Sequence, residues 1–146
     1  KLYGRTLGPN WFVQEKAGVR VIGINACLFG SGFKEEADQW KFLDRELAKP
    51  QAKPALLLTH YPLFLLSAEE PRLSTWNTEP EARQRLLTLI ERAGVRAVLS
   101  GHLHYPIGNR RNGTLLLGNG TTAYGMPRGR QPEGWMLLTV PREGEM

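Results

Sequence analysis

Very few residues in this chain of 146 can do chemistry: three histidines, one cysteine and two aspartates. His60 follows the apolar run Ala55-Leu56-Leu57-Leu58-Thr59. His102 and His104 follow Val95–Leu99 within Ser100-Gly101-His102-Leu103-His104. Neutral imidazole is a good ligand for Zn, Mn, Fe or Ni. A spacing of two lets both rings of His102 and His104 leave one turn toward one cavity, and Gly101 is placed to let the backbone turn sharply. A single histidine is more often a packed or surface residue. Three of them, each just past an apolar run, read together as metal ligands.

Rigid elements must hold such rings. Trp11–Val13 and Val19–Ile24 read as two strands joined by Lys16-Ala17-Gly18, and Val21-Ile22-Gly23-Ile24 is apolar enough to be buried on both faces. Phe29–Phe33 is a loop. Glu35–Lys49 reads as a helix with Trp40, Leu43 and Leu47 on one stripe and Pro50 as its stop. Ala55–Thr59 is a short strand, and Tyr61–Asn77 an irregular stretch. A second helix begins at Thr78-Glu79-Pro80-Glu81, where Thr78 and Glu81 make a capping box, and ends at Gly94. Val95–Leu99, Thr114–Leu117 and Trp135–Val140 are further strands. Strands alternating with helices predict an α/β fold. In open α/β sheets ligands bind where strands end in loops, and the histidines stand at such ends.

Leu58-Thr59-His60-Tyr61-Pro62 and Leu99-Ser100-Gly101-His102-Leu103-His104 resemble the last two signature blocks of the calcineurin-like metallophosphoesterases. Tyr3–Ala26 resembles the stretch after the family's Gly-Asn-His-Asp/Glu block, and Gln39-Trp40 through Leu47 the helix beyond it. Within the family, His60–Leu65, Trp76-Asn77 and Ala93-Gly94-Val95 are most similar to the branch of calcineurin-like phosphoesterase-domain serine/threonine phosphatases. Cyclic-nucleotide phosphodiesterases share the same blocks.

The resemblance implies that residues 1–146 are the C-terminal half of a four-layer αββα sandwich with a mixed sheet. It implies a phosphomonoesterase or phosphodiesterase acting through a hydroxide activated by two divalent metals (Mn, Fe, Zn or Ni). His60 and His102 would ligate one ion and His104 the other, with Asn77 and Tyr105 near the phosphate-ester substrate. The family's Asp-x-His, Gly-Asp-x-x-Asp and Gly-Asn-His-Asp/Glu blocks do not occur in this sequence. Asp38 and Asp44 lie six apart within the predicted helix, pointing to different sides. A fragment is therefore expected, inactive alone, whose missing N-terminal half belongs to the same parent chain or to a separate one. A non-catalytic interaction module on the same fold is the alternative.

Composition narrows the field. The net charge of +5 comes from scattered basic residues rather than a stripe with interleaved aromatics, so no nucleic-acid partner is expected. No apolar run approaches the ~20 residues of a membrane span, and residues 1–10 have no apolar core of a signal peptide. A single cysteine, Cys27, suits a reducing, cytoplasmic setting and reads as inert packing. Trp76 and Asn77 read as a packed ring and a cap, or as cleft residues. Tyr61 reads as packing and Tyr105 equally as packing or phosphate contact. Asn25 has no specific support as a cleft residue. Gly118–Thr122 lacks a Walker lysine and reads as a turn, and Arg128-Gly129-Arg130 as solvated surface.

Overall fold

The computed structural model describes residues 5, 6 and 8–141. The start of the resembling stretch at Tyr3, and both ends of the expected 1–146 unit, lie outside them.

Strands β1 (Phe12–Lys16) and β2 (Val19–Gly23) form the expected hairpin. Ala17 and Gly18 between them have φ of +51° and +81°, the two-residue turn whose twist matches that of a β-ribbon. Then follow a 3-10 turn (Ala26–Leu28), α1 (Lys34–Glu46), β3 (Ala55–Leu58), α2 (Pro80–Ala93), β4 (Ala97–Ser100), β5 (Ile107–Arg111) and β6 (Thr114–Gly118). The sheet order is β1-β2-β3-β4-β6-β5. β2, β3, β4 and β6 run parallel, and an antiparallel hairpin strand closes each edge.

Helix α1 stops at Glu46, where Leu47 caps it through an N–H to Leu43 O. Its buried stripe is Gln39, Phe42 and Leu43, while Trp40 is half-buried beneath Arg85, 4.1 Å from the guanidinium carbon. Helix α2 is capped by Glu79, not Thr78: the Glu79 carboxylate accepts from Ala82 N–H at 2.9 Å. The Thr78 hydroxyl donates instead to Pro62 O at 3.0 Å, tying the two ends of the loop 61–78 together. Gly94 ends the helix at φ +69°.

The register places Ile22, Leu57, Val98 and Leu116 side by side across four strands. They form one core with Phe42, Leu43 and Leu47 and with Leu86, Leu89 and Ile90 of α2. Both helices thus cover the same face of the sheet. The other face presents Val21, Leu56, Ala97 and Leu115 in one row and Leu58, Leu99 and Leu117 in the next. Gly23 is required there because the Phe12 ring takes its side-chain space: a Cβ would lie 2.2 Å from that ring. The described residues thus form an α/β unit with a mixed sheet and one helix layer. Trp135–Val140, expected as a strand, has no regular structure.

Candidate metal centre

The C-terminal ends of the adjacent parallel strands β3 and β4 carry the histidines. Pairing continues beyond the strands: Thr59 N–H donates to Leu99 O at 3.0 Å and Gly101 N–H to His60 O at 3.1 Å. That ladder fixes His60 and His102 side by side, with His60 Nε2 and His102 Nδ1 3.1 Å apart and the rings edge to face at 4.9 Å. Tyr61 sits edge-on to His102 at 4.5 Å, and the Trp76 ring lies 6.0 Å away.

Turn geometry is unusual here. Leu103 N–H donates to Gly101 O at 2.9 Å across His102, whose φ is +72°. A three-residue turn with a positive central φ is rare and strained. His104 also has positive φ, +60°. The expected sharp turn therefore resides on the two histidines, not on Gly101, and buried Leu103 anchors it. His104 faces away from the pair: its Nδ1 is 3.1 Å from Tyr124 O, and its ring packs on Tyr124 at 4.9 Å. Arg128, read from sequence as solvated surface, lies 4.7 Å over the Tyr124 ring.

Burial, then the neighbouring His60, push the His102 imidazole below its ordinary value, against a hydrogen bond from its ring to the Thr75 backbone. That shift favours the neutral ring, the ligand form. A ring N–H committed to a backbone carbonyl leaves the other nitrogen as a lone-pair donor, an arrangement usual for metal-ligating histidine. The Tyr124 carbonyl does the same for His104.

No family model matches the chain. Serine/threonine-protein phosphatase CPPED1 of Homo sapiens is 29% identical over 148 residues, covering 95% of this chain and 46% of that protein. The Rattus norvegicus protein of the same name is 32% identical over the same coverage. A probable cyclic nucleotide phosphodiesterase of Rhodococcus erythropolis is 32% identical over 94 residues, 64% of this chain and 30% of that protein. The chain is a relative of the calcineurin-like phosphoesterases. It spans about half the length of the CPPED1 proteins it matches, 46%. Among solved structures, GAP50, the anchor in the inner membrane complex of Plasmodium, superposes with a TM-score of 0.56 at 18% identity, covering 80% of this chain and 39% of that one. Purple acid phosphatase PPD1 from yellow lupin seeds gives 0.51 at 21% identity, covering 74% and 22%. Those likenesses concern the fold.

Against the ligand chemistry of the calcineurin-like phosphoesterases, the His60–His102 pair fits one ion. Metal–nitrogen bonds of about 2.0–2.1 Å at tetrahedral or octahedral angles put two ligand nitrogens about 2.9–3.4 Å apart, and the observed 3.1 Å falls in that interval. The rest of a dimetal site is not assembled: among the described residues no group of three or more His, Cys, Asp or Glu could hold a metal. Asp44 pairs with Arg85 at 2.8 Å and Asp38 with Lys41 at 3.5 Å, both on α1.

Two expectations need correcting. Asn77 is buried, and its side-chain amide donates to Glu70 and to Pro71 O and accepts from Leu73 N–H. It holds the loop and has no polar atom left for substrate. Cys27 is exposed rather than packed, its thiol 3.6 Å from the Tyr61 hydroxyl. Tyr105 is half-buried next to His104. Asn25 has more of a role than its sequence suggested. A cavity of about 410 Å³ lies between Asn10, Ile24, Asn25, Ala26 and His60. Asn25 is set there by Gln39, which donates to its carbonyl at 3.1 Å and accepts its N–H at 2.8 Å. A buried glutamine in an otherwise apolar helix stripe was the available signal.

Proposed function

We propose that this chain is the histidine-bearing half of a two-metal phosphoesterase that hydrolyses phosphomonoesters or phosphodiesters. The supporting observation is the facing of His60 Nε2 and His102 Nδ1 at 3.1 Å on adjacent parallel strand ends. His60 and His102 would hold one divalent ion and His104 would contribute to the other, with carboxylates from a completing N-terminal half. When bound, the ions supply Lewis-acid charge to the phosphoryl oxygens and lower the pKa of water. The chain's own residues do the positioning. The β3–β4 ladder fixes the distance between the two ring nitrogens. The Tyr124 carbonyl, 3.1 Å from His104 Nδ1, sets the orientation of that ring. The cavity beside His60 leaves room for a phosphoryl group and water. Mn, Fe, Zn and Ni all suit such nitrogen-rich ligands. A reducing compartment would keep the exposed Cys27 thiol free.

A non-catalytic interaction module is the second reading, favoured by the absence of a carboxylate beside the histidine pair among the described residues. Mn²⁺-dependent hydrolysis of phenyl phosphate separates the two. Activity is expected once the chain is combined with a carboxylate-bearing half. It should fall at least a hundredfold in His102→Ala. Hydrolysis that ignores Mn²⁺ and survives His102→Ala would sink the metal assignment.

A further inference from the structure

Trp76 is 42% exposed, yet its place is tightly fixed. Its backbone N–H donates to Leu73 O at 2.9 Å. Its neighbour Asn77 is buried and bonded to three loop residues. Thr78 beyond that is tied to Pro62. A large apolar ring held at the surface on so braced a turn forgoes the burial that a packed tryptophan obtains. Among the described residues its aromatic neighbour at the site is His102, with centroids 6.0 Å apart and planes at 59°. Tyr61 contacts His102 as well, at 4.5 Å. Leu73, 38% exposed, extends the apolar rim on the same loop.

We propose that Trp76 is a stacking platform for the leaving group, and that the substrates are aryl phosphoesters. The inference rests on the phosphoesterase reading, since the phosphoryl group must sit at the His60–His102 pair for the leaving group to project past His102 over Trp76. In the reaction a water oxygen bonds to phosphorus and the phosphorus–aryloxide bond breaks. The departing phenolate takes up the proton that water releases. A planar ring on the ester oxygen can lie against indole, whereas an alkyl leaving group of equal charge gains little there.

The test uses the protein at the length at which its own cells make it, with Mn²⁺ present, and compares Trp76→Ala and Trp76→Phe with wild type. Phenyl phosphate and glycerol 2-phosphate are the substrates. For phenyl phosphate, kcat/KM should fall about tenfold in Trp76→Ala, mainly through KM, and should be largely kept in Trp76→Phe. The loss on glycerol 2-phosphate should be severalfold smaller. Equal losses on both esters, or no loss on either, would overturn the stacking role. If wild type hydrolyses neither ester, the phosphoesterase reading fails on its own, and calorimetry with phenylphosphonate and methylphosphonate reads Trp76 separately. Tighter binding of phenylphosphonate that disappears in Trp76→Ala supports the platform; equal binding of the two by wild type refutes it.

Discussion

Two of the three residues that could bind metal carry backbone strain. His102 and His104 both have positive φ, a conformation that costs a non-glycine residue about 1–3 kcal/mol and persists only where surroundings impose it. Leu103, 1% exposed, imposes it by pinning the turn between them. Gly101, by contrast, has no positive φ, and a Cβ there would meet only His60 Nδ1 at an ordinary 3.9 Å. At position 102 the usual ranking of small residues should therefore invert. His102→Ala and His102→Gly both delete the ring, but only glycine relieves the backbone. The glycine variant should unfold at higher denaturant, more stable than the alanine variant by about 1 kcal/mol; the opposite order would mean that the turn relaxes once the ring is gone. The sequence made the histidines legible as candidate ligands, because type and spacing were enough to propose them. It assigned the turn to Gly101 wrongly, because which residue bears the strain depends on where Leu103 is buried.

Among the elements, the loop between β3 and α2 is organised by one carboxylate. Glu70 accepts from Leu65, Leu66 and Ser67 N–H and from the Asn77 amide. Buried Arg83 donates to the Glu70 carbonyl from below. Burial pushes the Glu70 carboxyl up, but the hydrogen bonds from Leu66, Asn77, Leu65 and Ser67 outweigh it and hold it below the usual range. A carboxyl depressed in the folded state adds stability that is present above its unfolded value near 4.5. That stability is lost as pH falls through the depressed folded value. Glu70→Gln should thus destabilise the protein by about 1–3 kcal/mol at pH 7. The gap to wild type should narrow in acid below about pH 4.5. Urea titrations at pH 7 and pH 3.5 would measure both, and a gap independent of pH would remove the carboxylate from the account. Such a loop was opaque in sequence, since its order comes from side chains folding back on their own backbone. β5 was missed for a different reason. Ile107–Arg111 is mostly polar, so periodicity is silent, and the Asn112-Gly113 turn, with φ of +45° and +84°, was the unread signal.

For the whole molecule, the strands and helices that build the helix-covered core were readable from apolar periodicity. The four-layer arrangement could come only from resemblance, and the described residues supply a single sheet with one helix layer. The consequence is the second face of that sheet, where Leu58, Leu99 and Leu117 lie in register and are only half-buried. Met136 and Leu138 approach Leu99 and Leu117 at one end, leaving a cavity of about 140 Å³. Leu137 and Trp135 beside them are each 77% exposed. Apolar sheet surface of this kind drives association at about 25 cal/mol per Å² buried. The chain spans 46% of its human CPPED1 relative, and under the half-enzyme proposal the completing half would cover this face. The chain alone should therefore self-associate at micromolar concentration and bind an apolar dye. Leu58→Gln with Leu117→Gln should restore a monomer while leaving the core intact. Leu57→Gln, on the helix-covered face at 0% exposure, should unfold it. Sedimentation velocity and circular dichroism on the three proteins decide the matter. A monodisperse wild-type monomer that ignores the dye would show that the stretch through Met136 and Leu138 closes the face by itself, and the need for a second half would go with it.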